Sequence, residues 1–219
     1  MDSPGPADET ARARMVADQL RGRGIADHRI LAAMEAIPRD AFVQGADLTE
    51  AYADRPLPIG AGQTISQPYI VARMTELLAV RPGDRILDVG TGSGYQAAIL
   101  AELGCTVTSI DREARLADEA RQRLERLGYG DRITVKVGDG SLGDPEGAPW
   151  DGIVVAAGAP SIPPTLRSQL VDGGRLVIPV GARHEQQLLV IQRRGDDWVQ
   201  HSDGACVFVP LIGAEGWRE

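Results

Sequence analysis

Three acids and a run of glycines carry the most specific chemistry in this chain. Asp88-Val-Gly90-Thr91-Gly92-Ser93-Gly94 follows the apolar run Ile86-Leu87 and precedes a stretch of helical character. Glycines at alternate positions let the backbone turn sharply and approach a ligand with no side chain in the way. The turn lies at the carboxyl end of a strand, where open α/β sheets bind ligands. Asp111 ends the next strand, about 20 residues on, where an acid accepts hydrogen bonds from ribose hydroxyls. Asp139, within Gly138-Asp139-Gly140, ends the strand after that and is placed to accept from an exocyclic amine such as adenine's. Asp88 adds negative charge beside the loop, which suits a cationic ligand better than a pyrophosphate.

A ligand with an ammonium, a sulfonium, a ribose and an adenine meets all of these features. The set resembles the signature of S-adenosyl-L-methionine-dependent methyltransferases. The resemblance gives the cofactor to Asp88, Gly90, Thr91, Gly92, Ser93, Gly94, Asp111, Asp139 and Gly140. A dinucleotide oxidoreductase would show Gly-x-Gly-x-x-Gly instead. Methylation of base or amide nitrogens would call for an Asn/Asp-Pro-Pro-aromatic motif after the fourth strand, where this chain has Ala156-Ala-Gly-Ala-Pro160.

The acceptor is indicated upstream. Pro58-Ile-Gly-Ala-Gly-Gln63-Thr64-Ile65-Ser66-Gln67-Pro68 closely resembles the hallmark segment of protein-L-isoaspartate O-methyltransferases. The similarity continues through Ile37-Pro-Arg-Asp-Ala-Phe42, the glycine loop, Gly138-Asp-Gly140, Leu170 to Val180 and Phe208-Val-Pro-Leu211, and so covers nearly the whole chain. The resemblance implies methyl transfer to the α-carboxylate of L-isoaspartyl residues in damaged proteins and peptides. The ester then collapses to a succinimide and reopens partly as normal aspartate, a repair cycle. In this reading Ser66 is the catalytic serine, while Thr64, Ile65 and Gln67 bind the acceptor. Cys206-Val207 departs from the family, where an arginine is common in bacterial relatives.

The chemistry agrees with the residues. A peptide α-carboxylate has a pKa of roughly 4 and is ionised at neutral pH, so no general base is required. No histidine lies near the loops. The Thr64 and Ser66 hydroxyls can orient the carboxylate through neutral hydrogen bonds, where a lysine or arginine would blunt it as a nucleophile. Local pattern also suits Ser66 as an N-cap for a helix opening at Pro68, and the two roles are compatible. Thr64 also reads as a plain loop hydroxyl, and Asp88 as a cap for the loop's amides. Two alternatives stay open: a peptide-maturation aspartate O-methyltransferase, and a non-catalytic S-adenosylmethionine-binding protein.

The elements that must position these residues follow from periodicity. Residues 11–22 and 27–37 read as helices, the second capped by Asp27 with Ile30, Leu31, Met34 and Ile37 as its apolar stripe. Residues 39–67 are irregular, and a helix follows over 68–79. Strands at 86–89, 106–111, 133–137, 151–157 and 175–180 alternate with helices at 94–103, 112–127 and 163–170; two strands, 187–194 and 205–211, close the chain. The alternation predicts an α/β, Rossmann-like seven-stranded methyltransferase fold: a mostly parallel sheet, helices on both faces, and an N-terminal helical extension. Residues 1–10 read as a flexible tail, and 11–80 (helices and substrate loop) as one compact unit with the core at 81–219.

Composition narrows the setting. Of 219 residues, 23 are basic and 31 acidic, a net charge of −8 that disfavours nucleic-acid partners. Arg112, Arg115, Arg121, Arg123 and Arg126 interleave with acids and read as a solvated helix face. No apolar run suits a bilayer span or a secretory signal, so no membrane is expected and the localisation is read as cytoplasmic. Cys105 and Cys206 read as reduced core thiols, and His28, His184 and His201 as surface residues; no metal site is expected. The protein is expected to act as a monomer on isoaspartyl-containing proteins and peptides.

Overall fold

The N-terminal third builds a helical layer with a small hairpin in the computed structural model, which describes residues 6–218. Helix α1 (Pro6–Arg14) runs on through a π-helical turn, Met15–Leu20, and a 3-10 turn, Arg21–Arg23. The expected tail over residues 1–10 is therefore corrected from Pro6 onward, where the chain is helical; residues 1–5 lie outside the described residues. Asp27 caps α2 (His28–Ala36) as predicted, accepting from Arg29 N at 2.9 Å, and the helix gives out before Pro38. The stretch read as irregular contains a 3-10 turn, Arg39–Phe42, the short helix α3 (Leu48–Ala51), and an antiparallel hairpin of β1 (Leu57–Gly60) and β2 (Gln63–Ile65). Helix α4 (Pro68–Leu78) follows.

The apolar runs after residue 84 become β3 (Arg85–Val89), β4 (Thr106–Asp111), β5 (Ile133–Val137), β6 (Trp150–Val155) and β7 (Leu170–Ala182), all parallel, then β8 (Glu185–Arg194) and β9 (Asp197–Cys206), both antiparallel. Their order is β5-β4-β3-β6-β7-β8-β9. Between them run α5 (Tyr95–Glu102), α6 (Ala114–Arg126) and α7 (Pro164–Ser168). Strand β3 is buried on both faces from Ile86 to Val89, as a central parallel strand must be. The chain moves outward through β4 and β5, then crosses back to place β6 beside β3. That reversal opens a crevice at the strands' carboxyl ends.

The helical layer and the sheet share one core. Met15, Met34 and Phe42 pack in the same cluster as Tyr95, Ala98 and Leu124, and the Phe42 and Tyr95 rings meet edge-on at 5.3 Å. Arg39 is fully buried beneath Tyr95, its guanidinium 5.2 Å from the ring centroid and its Nε 2.8 Å from Ala51 O. Arg73 of α4 grips Asp203 of β9 and Glu76 on its own helix.

The tail strand expected at 205–211 is corrected: β9 ends at Cys206. Beyond it the backbone bonds go to the loop after β6, with Gly158 N donating to Val209 O and Leu211 N to Gly158 O, each at 2.8 Å. Pro210 has no N–H to continue a ladder. The helix face read as solvated is also corrected at one position. Arg115 and Arg121 pair outward with Glu119 and Asp118, but Arg123 is 8% exposed and turns inward. All three histidines are exposed; Cys105 is buried and Cys206 half-buried. Among the described residues no helix is long and apolar enough to cross a membrane, and no cluster of His, Cys, Asp or Glu could hold a metal ion.

Candidate active site

The glycine loop leaves β3 at Gly90 and enters α5 after Gly94. Gly90, Gly92 and Gly94 have φ of 94°, 50° and 88°, a left-handed region that other residues enter only with strain. Gly90 N and Thr91 N both donate to Ile110 O, at 2.8 and 3.2 Å, tying the loop to the end of β4. Buried Arg123 reaches across from α6 and donates to Ser93 O at 2.8 Å. Burial lowers the pKa of its guanidinium, with Glu119 opposing.

Beneath the loop lies a buried polar relay. Ser109 Oγ donates to Asp88 Oδ2 at 2.7 Å and lies 2.6 Å from Thr91 Oγ1. Asp88 is fully buried, and its Oδ1 has no hydrogen-bond partner. Burial pushes its pKa up to about 7, against the Ser109 hydrogen bond and with a contribution from Asp111. Asp88 thus caps none of the loop's amides. Asp111, by contrast, accepts from Gly92 N at 2.7 Å and Glu113 N at 2.9 Å, and meets the cleft beside Glu113.

A cleft of about 980 Å³, counted out to solvent, opens above the loop. Thr64, Ile65 and Ser66 form one wall; Gly90, Thr91, Gly92, Ser93, Asp111 and Gly140 face them. Four expected site residues stand elsewhere. Asp88 lies under the floor, and Gly94 sits behind the loop at the start of α5, against Leu124. Gln67 faces a neighbouring groove, its amide 3.0 Å from Asp54 Oδ2. Asp139 lies outside the cleft with both carboxylate oxygens engaged: Ser141 N and Oγ donate to one, at 2.9 and 2.6 Å, and Ala214 N to the other at 2.7 Å. Burial raises its pKa, but these bonds outweigh it and hold the group below the usual carboxylate range.

Ser66 is not the helix cap that its sequence context allowed. The residue ahead of α4 is Gln67, which makes no side-chain cap bond. Instead Asp54 accepts from Tyr69 N at 2.9 Å and from Gln67, and Arg23 closes on Asp54 from the N-terminal layer. Among the described residues, the Thr64 and Ser66 hydroxyls have no protein hydrogen-bond partner.

A second groove, lined by Arg23, Tyr69, His184, Cys206 and Phe208, meets the cleft at Thr64, Ser66, Ala156, Val209 and Pro210. Sequence reasoning missed several walls of the first cleft: Met74 of α4, Tyr95 and Gln96 of α5, and Val209 to Ile212. Only the tail's Phe-Val-Pro-Leu motif gave any signal for the last. Burial pushes the Cys206 thiol up to about 11, so it remains a neutral thiol beside the groove. The cleft fits an S-adenosyl group. It offers a glycine-lined wall with no room for a Cβ (at Gly140 it would lie 2.6 Å from Val89 Cγ1), an acid on its rim, and a buried carboxylate with one orphan oxygen below.

Known proteins resemble this chain over nearly its whole length. The family model described as protein-L-isoaspartate(D-aspartate) O-methyltransferase (PCMT) matches residues 11–216. Protein-L-isoaspartate O-methyltransferase 2 of Pelobacter propionicus is 55% identical over 211 residues, 95% of this chain and 93% of that protein. The protein-L-isoaspartate O-methyltransferase of Methanoculleus marisnigri is 55% identical over 208 residues, 94% of each chain. A solved protein-L-isoaspartate O-methyltransferase is similar with a TM-score of 0.85 at 28% identity, over 94% of this chain and 67% of that one. A Plasmodium falciparum structure solved with S-adenosyl-L-homocysteine shares the fold, with a TM-score of 0.78 at 24% identity, over 92% of this chain and 98% of that one.

Proposed function

The chain belongs to the protein-L-isoaspartate(D-aspartate) O-methyltransferase family, and from that premise we propose how its cleft carries out the reaction. The enzyme is a protein-repair methyltransferase that transfers a methyl group from S-adenosyl-L-methionine to the α-carboxylate of L-isoaspartyl residues in proteins and peptides. One observation carries the assignment of roles: two clefts, one floored by the glycine loop and one running along the tail, meet at Thr64 and Ser66.

In this reading the first cleft seats the donor, which when bound supplies an electrophilic methyl group on a sulfonium. Asp111 accepts from its ribose end where the bare backbone of the glycine loop lets it come close, and buried Asp88 sets a negative potential under its charged end. The second groove seats the damaged peptide, with its carboxylate at the junction. That carboxylate is already anionic, so the site needs no base. Thr64 and Ser66 donate to it with hydroxyls that the protein leaves free, and Ile65, buried between them, fixes their direction. Holding two reactants in line contributes on the order of 7–11 kcal/mol to such a step. The apolar walls, Val71, Met74 and Leu211, keep water from the junction.

We take residues 11–80 and 81–219 to act as one unit and the protein to act as a cytoplasmic monomer without nucleic-acid or membrane partners. The shared core, the net charge of −8 and the two free cysteines support that reading. The direct test is transfer of labelled methyl from S-adenosyl-L-methionine to an isoaspartyl peptide, with the matching aspartyl peptide as control. Labelling of the isoaspartyl peptide alone is expected; equal labelling of both, or of neither, refutes the reading.

A further inference from the structure

A third groove, of about 660 Å³ counted out to solvent, borders the glycine loop at Gly92 and Ser93. Those two residues are all that it shares with the donor cleft. The rest of its wall comes from the N-terminal layer, from β1 and from α6. Phe42, Pro58, Ile59 and Leu116 make part of that wall apolar, and its charged side chains are Arg115, Glu119 and Arg123. The three stand four residues apart, so they form one stripe along α6.

The stripe leaves a charge over. Glu119, the one acid on the wall, is taken by Arg115 at 3.0 Å. Arg123 is buried, and no carboxylate pairs with it among the described residues. Its Nη1 donates to Ser93 O, and its Cζ lies 6.0 Å from the Phe42 ring centroid. Its Nε and Nη2 have no hydrogen-bond partner among the described residues, and they open to the groove. A buried guanidinium without an anion is costly, and its planar fork matches a carboxylate. Arg115 extends the cationic wall toward β1. Its Nη2 stands 2.6 Å from where a Cβ on Gly60 would lie, and Gly60 has a φ of 94°. Two guanidiniums against one carboxylate make this groove cationic on a chain of net charge −8.

We propose that this groove is a second ligand site, which takes a small carboxylate with an apolar body and, when filled, tightens the donor. The carboxylate accepts from the open N–H groups of Arg123 and from Arg115. The apolar body lies on Phe42, Ile59 and Leu116. The occupant bridges α6 and β1. Strand β1 is hydrogen-bonded to β2, which carries Thr64 and Ile65, and a Cβ on Gly92 would lie 3.2 Å from Ile59 Cδ1. Tying α6 to β1 therefore steadies two walls of the donor cleft, the glycine loop and the hairpin. Only this coupling rests on the assignment of the first cleft to the donor.

The test titrates 3-phenylpropionate, its neutral amide and inorganic phosphate into the full chain by calorimetry. The wild type should bind the carboxylate, and the amide and phosphate at least about tenfold more weakly. Arg123→Gln should weaken the carboxylate by about tenfold or more. That change also frees Ser93 O, so two positions away from the loop decide. Arg115→Ala should weaken the carboxylate about threefold, and Glu119→Gln, which removes the competing acid, should tighten it about threefold. A gain of affinity cannot come from poor folding. With the carboxylate at saturation, the Kd of S-adenosyl-L-homocysteine should fall about threefold, and by linkage the reverse holds to the same degree. The proposal is overturned if the carboxylate does not bind, if the amide or phosphate binds as well, or if Arg115→Ala and Glu119→Gln both keep wild-type affinity. Mutual exclusion of the carboxylate and S-adenosyl-L-homocysteine, or an unchanged Kd, overturns it too. Failure of the wild type to bind S-adenosyl-L-homocysteine alone would instead strike the assignment of the first cleft, while the carboxylate titrations still decide on the groove.

Discussion

Ser66 keeps its hydroxyl free at the junction of two clefts, while Asp54 does the capping that its position invited. A hydrogen bond to a charged group is worth about 1.5–3 kcal/mol, and about 1.4 kcal/mol corresponds to tenfold in rate. Ser66→Ala should therefore cut kcat by about tenfold or more while S-adenosyl-L-homocysteine affinity stays within about twofold. Equal losses in the two assays would assign Ser66 to the fold instead. Asp88 gives a second residue-scale expectation. Its pKa is raised from 3.8 to about 7 by burial, so the folded chain binds this proton more tightly than the unfolded one. The stability it contributes is complete below about pH 4 and is lost as pH rises through about 7. Asp88→Asn removes that loss, so the ligand-free variant should melt above the wild type at pH 8 and close to it at pH 4. It should also bind S-adenosyl-L-methionine more weakly at pH 8, where the ionised wild-type acid favours a cation; a variant with unchanged melting and affinity at pH 8 would contradict both. Gly90, Gly92 and Asp111 were legible because each answers to a nearby, local need of the loop, whereas nothing local told that Asp88 would sink beneath it. Asp139 was legible only as an acid at a strand end, since its actual partner, Ala214, lies 75 residues away.

At the scale of elements, α4 owes its start to residues outside it. Asp54 accepts from Tyr69 N and Gln67, and Arg23 clamps it in turn. Removing a capping acid typically costs about 1–2 kcal/mol. Asp54→Ala should lower the free energy of unfolding by that amount, seen as a lower denaturation midpoint, and raise the KM for peptide, because the Thr64-Ile65-Ser66 wall hangs from the same helix start. A midpoint equal to wild type would show that Pro68 at the helix's first turn suffices. No local rule could find this cap, since Ser66 satisfies every sequence criterion and Asp54 satisfies none. The parallel strands were easier to read: β5 is a five-residue alternation bounded by turns, and β3 a short apolar run closed by glycine. The last strand was misread because Cys206 to Leu211 is as apolar as a strand, while its hydrogen bonds go to Gly158. Likewise Arg123 matches its solvated neighbours in type, and only the depth of the glycine loop behind it calls it inward.

For the whole molecule, the helical layer and the sheet share one apolar cluster, so neither should melt alone. Far-ultraviolet circular dichroism and tryptophan fluorescence, the latter reporting Trp150 and Trp198 on the sheet, should follow one coincident transition; separate midpoints would divide the chain into two units. The grip of Arg73 on Asp203, which joins the two halves, bears on the protein's own durability. Aspartate rearranges when its side-chain carbonyl closes onto the next backbone nitrogen, most readily before glycine, and asparagine does so faster still. This chain has no asparagine and four Asp-Gly steps, at Asp139, Asp151, Asp172 and Asp203. Each carboxylate is held by a partner: Ser141 and Ala214, Arg85 N, Gly195 N, and Arg73 in turn. A tethered side chain seldom swings onto its own backbone. Arg73→Ala should thus hasten isomerisation at Asp203 on prolonged warm storage, seen by peptide mapping, and leave the other three steps at their former pace. A mender of aged proteins built this way grows old slowly itself.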